Sequence, residues 1–202
     1  MLLSRRVYAG IAVVTVLGYV ILSGAGAVRD ESCGLGVPPD SPEYAEFEAR
    51  QAAQVARDGY LRVCEANLAR YQIAAELKPL GWVMSELAFT PVELTNTPFA
   101  KLRSLGGVAE SVNNVKSRLY RSFRTSDGRT VTLFEHEMSA DGSQSYRNPK
   151  DEPERINGLP ARLVVMQASS GKAVSSLTWK EGRRSYDLWM DANVTVEHLR
   201  PQ

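Results

Sequence analysis

Of its 202 residues, the chain spends two on Cys and two on His. That excludes a zinc-finger array and leaves little material for a His-rich metal site. Charge of one sign is also missing. Lys plus Arg is 24 and Asp plus Glu is 23, a formal net charge of +1, so no basic excess points to a nucleic-acid partner. A Ser elbow, a HExxH helix and a Gly-rich phosphate loop are all absent, so no catalytic, cofactor-binding or metal-ligating residue is assigned. The 44% of hydrophobic residues excludes an intrinsically disordered chain. What remains is enough chain for one compact domain with a real core.

The N-terminus carries the clearest signal. Residues 7–28 hold no charged side chain, Arg5 and Arg6 precede them, and Arg29, Asp30 and Glu31 follow. At a helical rise of 1.5 Å per residue this run spans about 33 Å, enough for a bilayer core. The two arginines favour a cytoplasmic N-terminus and an exported remainder. Two readings stand. One is a single-pass inner-membrane signal anchor. The other is a secretory signal cleaved after Ala27 in Ala25-Gly26-Ala27, which would free the domain into the periplasm. Glu31-Ser32-Cys33-Gly34 lacks the residues a lipobox places before its Cys. Without Arg5 and Arg6 the exported part has 22 basic against 23 acidic groups, a net charge of −1. It has no global field to steer a polyanion.

The expected fold class is α+β. Residues 1–28 form the anchor or signal and 29–40 a linker. One long amphipathic helix is expected over 41–77 and an antiparallel β-rich domain over 78–202, the last two as one folded unit. Asp40-Ser41-Pro42-Glu43 reads as a helix start. Tyr44, Phe47, Ala52, Val55, Ala56, Tyr60, Val63, Cys64, Leu68 and Tyr71 then recur at spacings of mostly three and four. Gly59 interrupts that stripe and marks a place for a break or bend. In the poorly patterned stretch 82–111, a short strand near Ala88–Leu94 and a helical turn near Phe99–Leu105 are expected. From Val115 the period changes to two. Strands are expected at Val115–Arg124, Thr130–Met138, Leu163–Ala168, Ser175–Glu181 and Arg184–Asp191, with Ser126-Asp127-Gly128 as a hairpin turn. In the last two strands Leu177 and Trp179 are assigned to one face, and Tyr186, Leu188 and Met190 to another. A final short helix is expected over Val194–Leu199. The five or so strands need cover on one face, and the preceding helix is the obvious cover.

Few residues offer chemistry. Cys33 and Cys64 both follow the apolar run, in a compartment where disulfides persist. A bridge between them would close a loop of about 30 residues, worth roughly 3–4 kcal/mol in chain entropy. Glu135-His136-Glu137 puts two carboxylates on one strand face. An ordinary solvated face explains them better than paired-carboxylate catalysis, with Phe134, His136 and Met138 turned the other way. Lys116, Arg118, Tyr120 and Arg124 share a strand face that could meet an acidic partner or an anionic headgroup, with Arg121 turned away. The plainer account is a solvent face with a Tyr among basic stems. Asn193-Val194-Thr195 is a formal glycosylation sequon.

Ile156-Asn157-Gly158-Leu159-Pro160-Ala161, then Leu177-Thr178-Trp179, Gly182, Tyr186 and Leu188, then Glu197 and Leu199 carry a resemblance. On these residues the stretch from about Val115 to Leu199 resembles an extracytoplasmic β-domain of bacterial anti-sigma-factor-like envelope proteins. The resemblance implies a scaffold or sensing role and no catalytic residues. With six residues before the apolar segment, direct anti-sigma activity is not expected. Three functions follow for testing. The first is a non-catalytic envelope protein, anchored through residues 7–28, that binds a protein partner or senses. The second is a carrier of lipid or another apolar ligand, with Trp179, Trp189 and Met166 lining its pocket. The third is an envelope enzyme. Intact mass measured on membrane and soluble fractions, with alkylation before and after reduction, is expected to give a full-length membrane species whose thiols are blocked until reduced. A soluble species beginning at Val28 would establish the cleaved form instead.

Overall fold

A computed structural model describes residues 40–73, 76–145 and 152–197. The apolar run 7–28, the linker to residue 39 and Cys33 lie outside the described residues. The fold is α+β, and its centre is a sheet of eight strands rather than about five. These are β1 (Leu61–Arg62), β2 (Arg103–Val112), β3 (Val115–Arg124), β4 (Thr130–Glu137), β5 (Glu154–Ile156), β6 (Leu159–Gln167), β7 (Ala173–Glu181) and β8 (Arg184–Met190). Their spatial order is β1-β6-β7-β8-β4-β3-β2, with β5 also paired to β6. Every pairing is antiparallel except β1 with β6, so the sheet is mixed.

The expected hairpins form. β3 and β4 pair from Arg118↔His136 to Arg124↔Thr130 across the Asp127-Gly128 turn, where Gly128 has φ 87°. Two further hairpins use Asn in the left-handed region. Asn113 and Asn114, at φ 50° and 64°, join β2 to β3. Asn157 and Gly158, at φ 51° and 81°, join β5 to β6. Positive φ at both central residues gives these loops the twist that matches the flanking strands. The strand expected at Ala88–Leu94 does not form, and the turn expected at Phe99–Leu105 is a 3₁₀ turn at Pro98–Lys101. The terminal helix is described over Val194–Glu197, and the rest of its expected span lies outside the described residues.

The long helix is the main correction. Helix α1 covers only Tyr44–Asp58, and Gly59, at φ 77°, ends it with its N–H on Val55 O at 2.8 Å. A left-handed cap turns the chain out of the helix. The chain then enters β1, a short helix α2 (Glu65–Leu68) and a 3₁₀ turn at Ala69–Tyr71. No residue of α1 is buried. The second half of the apolar stripe does the burying instead. Val63 and Leu68 pack with Met166, Ala168, Val174 and Trp189, and Tyr71, Tyr120 and Phe134 lie against them.

Both sheet faces therefore receive cover, from two different segments. Residues 63–73 cover the face carrying Tyr120, Phe134, Val174 and Trp189. Helix α3 (Leu80–Ser85) and the chain to residue 102 lie on the opposite face, where Phe99 meets Phe123 with ring centroids 5.2 Å apart. The register also corrects the assignment of the last two strands. Leu177 lies opposite Leu188 and Trp179 opposite Tyr186, so all four share one face, and the Trp179 and Tyr186 rings stack at 4.9 Å.

The chain passes from one face to the other around the outer edge of β2. Lys78 and Gly107 exchange both backbone hydrogen bonds there, at 2.9 and 2.8 Å. A Cβ on Gly106 would sit 2.5 Å from Lys78 O, and one on Gly107 would sit 2.5 Å from Tyr120 O and 2.7 Å from Leu80 Cδ2. Only glycine permits that approach, and a bulge between Ser104 and Gly106 accompanies it.

Candidate functional site

Arg118, Tyr120 and Arg124 lie on one side of β3 as expected, but the bulge that leaves Ser117 without a partner on β2 turns Lys116 to the other side, and each of the four is engaged within the chain. Lys116 Nζ is 3.1 Å from Glu86 Oε2, and Arg118 Nη1 is 4.0 Å from Glu110 Oε2. The Tyr120 hydroxyl donates to Glu110 Oε2 at 3.0 Å, while its ring lies 4.7 Å from Phe134 and 5.9 Å from Trp189. Burial, helped by the Glu110 carboxylate, pushes the Tyr120 hydroxyl well above its ordinary pKa. Arg124 Nη1 donates to Gly128 O at 2.9 Å. Among the described residues there is no free cysteine, and Cys33, the expected partner of Cys64, lies outside them.

Glu135 is not on a solvated face. It is fully buried and sits between two guanidinium groups, Arg121 Nη2 at 2.8 Å and Arg184 Nη1 at 3.0 Å. Val92 N–H donates to both its oxygens at 3.0 and 3.2 Å, and Arg121 Nη1 donates to Val92 O at 2.8 Å. Arg184 also grips Glu137, Nη2 to Oε2 at 2.8 Å, under the Phe89 ring. Burial pushes the Glu135 carboxyl up, and the guanidinium groups and the Val92 amide oppose it. The cluster clamps the loop around Val92 to the sheet. Its acceptors are occupied from within the chain, which leaves no paired-carboxylate site for acid–base work.

A second cluster escaped the sequence reading. Asp141, in the short helix α4 (Met138–Asp141), accepts from the Ser117 hydroxyl, from Ser143 N–H at 2.7 Å and meets His136 Nε2 at 2.7 Å. The residue types are those of a nucleophilic triad, but the wiring differs. Ser117 and His136 both hold the carboxylate, and Ser117 is fully buried, so no imidazole is set to take a proton from an exposed hydroxyl. Burial pushes the Asp141 carboxyl up, but the three hydrogen bonds outweigh it and hold it well below its ordinary value of 3.8.

An open groove of about 950 Å³ lies on the Trp189 face. Its floor is Ser122, Thr130 and Thr132, and its walls include Leu68, Tyr71, Ile73, Leu77, Leu105 and Val174. The space comes from a step in side-chain size. Tyr120 opposite Phe134 fills the face, and one pair further along Ser122 opposite Thr132 does not. Those two hydroxyls bond each other at 2.9 Å, and both residues are buried. A recess of about 310 Å³ adjoins the groove, sharing Gln72, Ile73 and Trp189. Of the pocket residues expected from sequence, Trp189 lines the groove. Trp179 is on the opposite face, and Met166 is buried in the core. The alternation of β3 and β4 carried the signal for the groove, because small hydroxyl residues follow aromatic ones on the same face.

Comparison with protein-family models, curated proteins and solved structures returns no match. Among the described residues no three His, Cys, Asp or Glu side chains are grouped to hold a metal.

Glu135→Ala should lower the stability of the protein by about 3–5 kcal/mol in urea unfolding, because it leaves Arg121 buried without its partner. Adding Arg121→Met should recover most of that loss, and a single-variant loss near zero would contradict the clamp. For Asp141 the sign follows from its lowered pKa. Its stabilisation is present above the ordinary carboxylate value and lost as pH falls. The stability gap between the native protein and Asp141→Asn should be full at about pH 6 and shrink below about pH 4. A gap constant down to about pH 2 would remove the assignment.

Proposed function

We propose that this chain is a non-catalytic binding protein of the cell envelope. In this reading it is exported behind residues 7–28, either held at the inner membrane or released to the periplasm. Its α+β domain takes an apolar or amphiphilic small ligand. The observation that carries the reading is the groove of about 950 Å³ beside Tyr71 and Trp189, within the size of small-molecule sites. Apolar walls over a floor whose two hydroxyls bond each other suit a ligand recognised by shape. The basic face of β3 supports a protein-docking role less well, since Lys116, Arg118 and Tyr120 are already paired with acids of the chain.

A protein partner stays as the second reading on one observation. β2 ends the strand order, and among the described residues only Gly107 is bridged on its outer side. An extended partner segment could add to the open stretch Val108–Val112. The likeness to extracytoplasmic β-domains of anti-sigma-factor-like proteins fits either reading, as a sensor or a scaffold.

The test is to purify the full chain from its membrane or soluble fraction under native conditions and analyse an organic extract by mass spectrometry. A co-purifying amphiphile near one per chain, lost in Thr132→Trp, is the expected result. An empty extract, together with no uptake of added single-chain lipids, would overturn the reading.

A further inference from the structure

The groove is electrically lopsided. At the end nearest the β2–β3 edge, Arg103 lies directly across from Arg124 on the groove side of the sheet. Like charges placed opposite one another on a sheet repel. Among the described residues no carboxylate forms an ion pair with either, the one hydrogen bond being that from Arg124 to Gly128 O. The nearby Arg129 is already paired with Asp127, Nε to Oδ2 at 3.0 Å. Asp191 also lines the groove, but its Oδ1 accepts the Thr130 N–H at 2.7 Å. Arg103 stands outside the groove's lining, so the two cations against Asp191 put a positive excess at its rim rather than within it. The other end is balanced, because Lys172 is paired with Glu65. Between the ends run the apolar walls of Leu68, Leu77 and Leu105.

Resting on the reading of the groove as a binding site, we infer that its ligand is a single-chain amphiphile with an anionic head. The head sits over Arg103 and Arg124, and the chain lies along the floor of Ser122 and Thr132 towards Val174. Two arginines opposite one another on neighbouring strands suit a carboxylate or a phosphate, each of which accepts paired N–H donors. Filling that position with a negative group relieves the repulsion between the two guanidinium groups, and the unpaired placement of the two arginines becomes part of the site. The chain buries the apolar walls, which supplies affinity without chain-specific contacts. The hydroxyl floor spends one of its two O–H donors on the bond between Ser122 and Thr132, so it offers a ligand chain little polar recognition.

The experiment uses the full-length protein in detergent-free nanodiscs and reads tryptophan fluorescence during titration with four probes. These are a long-chain fatty acid, the fatty alcohol of the same length, a lysophosphatidic acid and inorganic phosphate. Both anionic amphiphiles should bind at least about tenfold more tightly than the alcohol, the return expected of one charge-assisted hydrogen-bond pair. Arg103→Gln and Arg124→Gln should each remove most of that preference by weakening the anionic probes more than the alcohol, and added salt should act in the same direction. The better of the two anionic probes distinguishes a carboxylate from a phosphate head. If acid and alcohol bind equally, the groove reading stands and the inference falls. If no amphiphile binds, both fall. If inorganic phosphate binds as tightly as lysophosphatidic acid, the site is an anion site alone and the amphiphile is overturned.

Discussion

The ion pair between Arg121 and Glu135 decides which face of the sheet is closed. Both side chains are almost wholly buried, 4% and 0% exposed. Taking two charges out of water costs several kcal/mol each, and mutual attraction with added hydrogen bonds roughly offsets it. The pair is therefore a weak source of net stability and a strong source of uniqueness. It holds Val92 by both its N–H and its carbonyl, so a loop without regular secondary structure has one place to lie. It also pins the β3–β4 register. A slip of one residue would turn Arg121 into the aromatic cluster of Tyr120, Phe134 and Trp189. That would bury a charge with no partner.

Closing one face this way leaves the other to be covered by what remains, and among the described residues what remains is short. Residues 63–73 supply Val63, Leu68 and Tyr71, enough to seal the sheet over Met166 and Trp189 and too little to reach across Ser122 and Thr132. The chain then leaves this face around the edge at Gly106–Gly107, where the absence of Cβ atoms lets Lys78 pair with the strand. The groove is the consequence of three local choices together: a short covering segment, small hydroxyl residues on the floor and a glycine edge. Replacing any one with a bulky residue would fill or reroute the space, so its shape is a property of this sequence rather than of eight-stranded sheets at large.

Much of the sheet was readable. Asp127-Gly128 and the alternating runs beside it placed β3 and β4, and β6 to β8 followed the same rule. β2 was not readable from alternation because Gly106-Gly107 interrupts it and its exposed face alternates weakly. Asn113-Asn114 was the available signal, an Asn pair able to take positive φ between two extended runs. The long helix was overread for a specific reason. Apolar residues at spacings of three and four continue past Gly59, yet Val63, Leu68 and Tyr71 owe that spacing to a strand and two tight turns facing one core. Periodicity does not distinguish these cases once a glycine can take a left-handed cap. The buried clamp was within reach. The register implied by the Asp127-Gly128 turn already sets Arg121 and Glu135 on one face as diagonal neighbours. What alternation cannot tell is that a loop some thirty residues upstream covers them.

The distribution of polar chemistry bears on what kind of protein this is. Glu135, Glu137, Asp141 and His136 all point at partners inside the chain, and the Ser122 and Thr132 hydroxyls point at each other. Among the described residues these groups are spent on holding the fold. A binding domain needs a floor that costs little to cover. Covering an apolar wall and a hydroxyl pair already bonded to each other strands at most one O–H donor, so a ligand chain meets a small desolvation penalty there. The cost of occupancy then falls mainly on the charged end, where Arg103 and Arg124 stand opposite one another. Removing their mutual repulsion couples ligand binding to the stability of the β2–β3 hairpin, and that hairpin contacts both the clamp, through Arg121, and the aromatic cluster, through Tyr120. A ligand at a hundred times its dissociation constant would add about 2.7 kcal/mol to folding, and the strand that receives this stabilisation is the open-edged one. Groove and edge thus belong to one hairpin, so on the proposed reading a ligand that fills the one stabilises the strand exposed at the other.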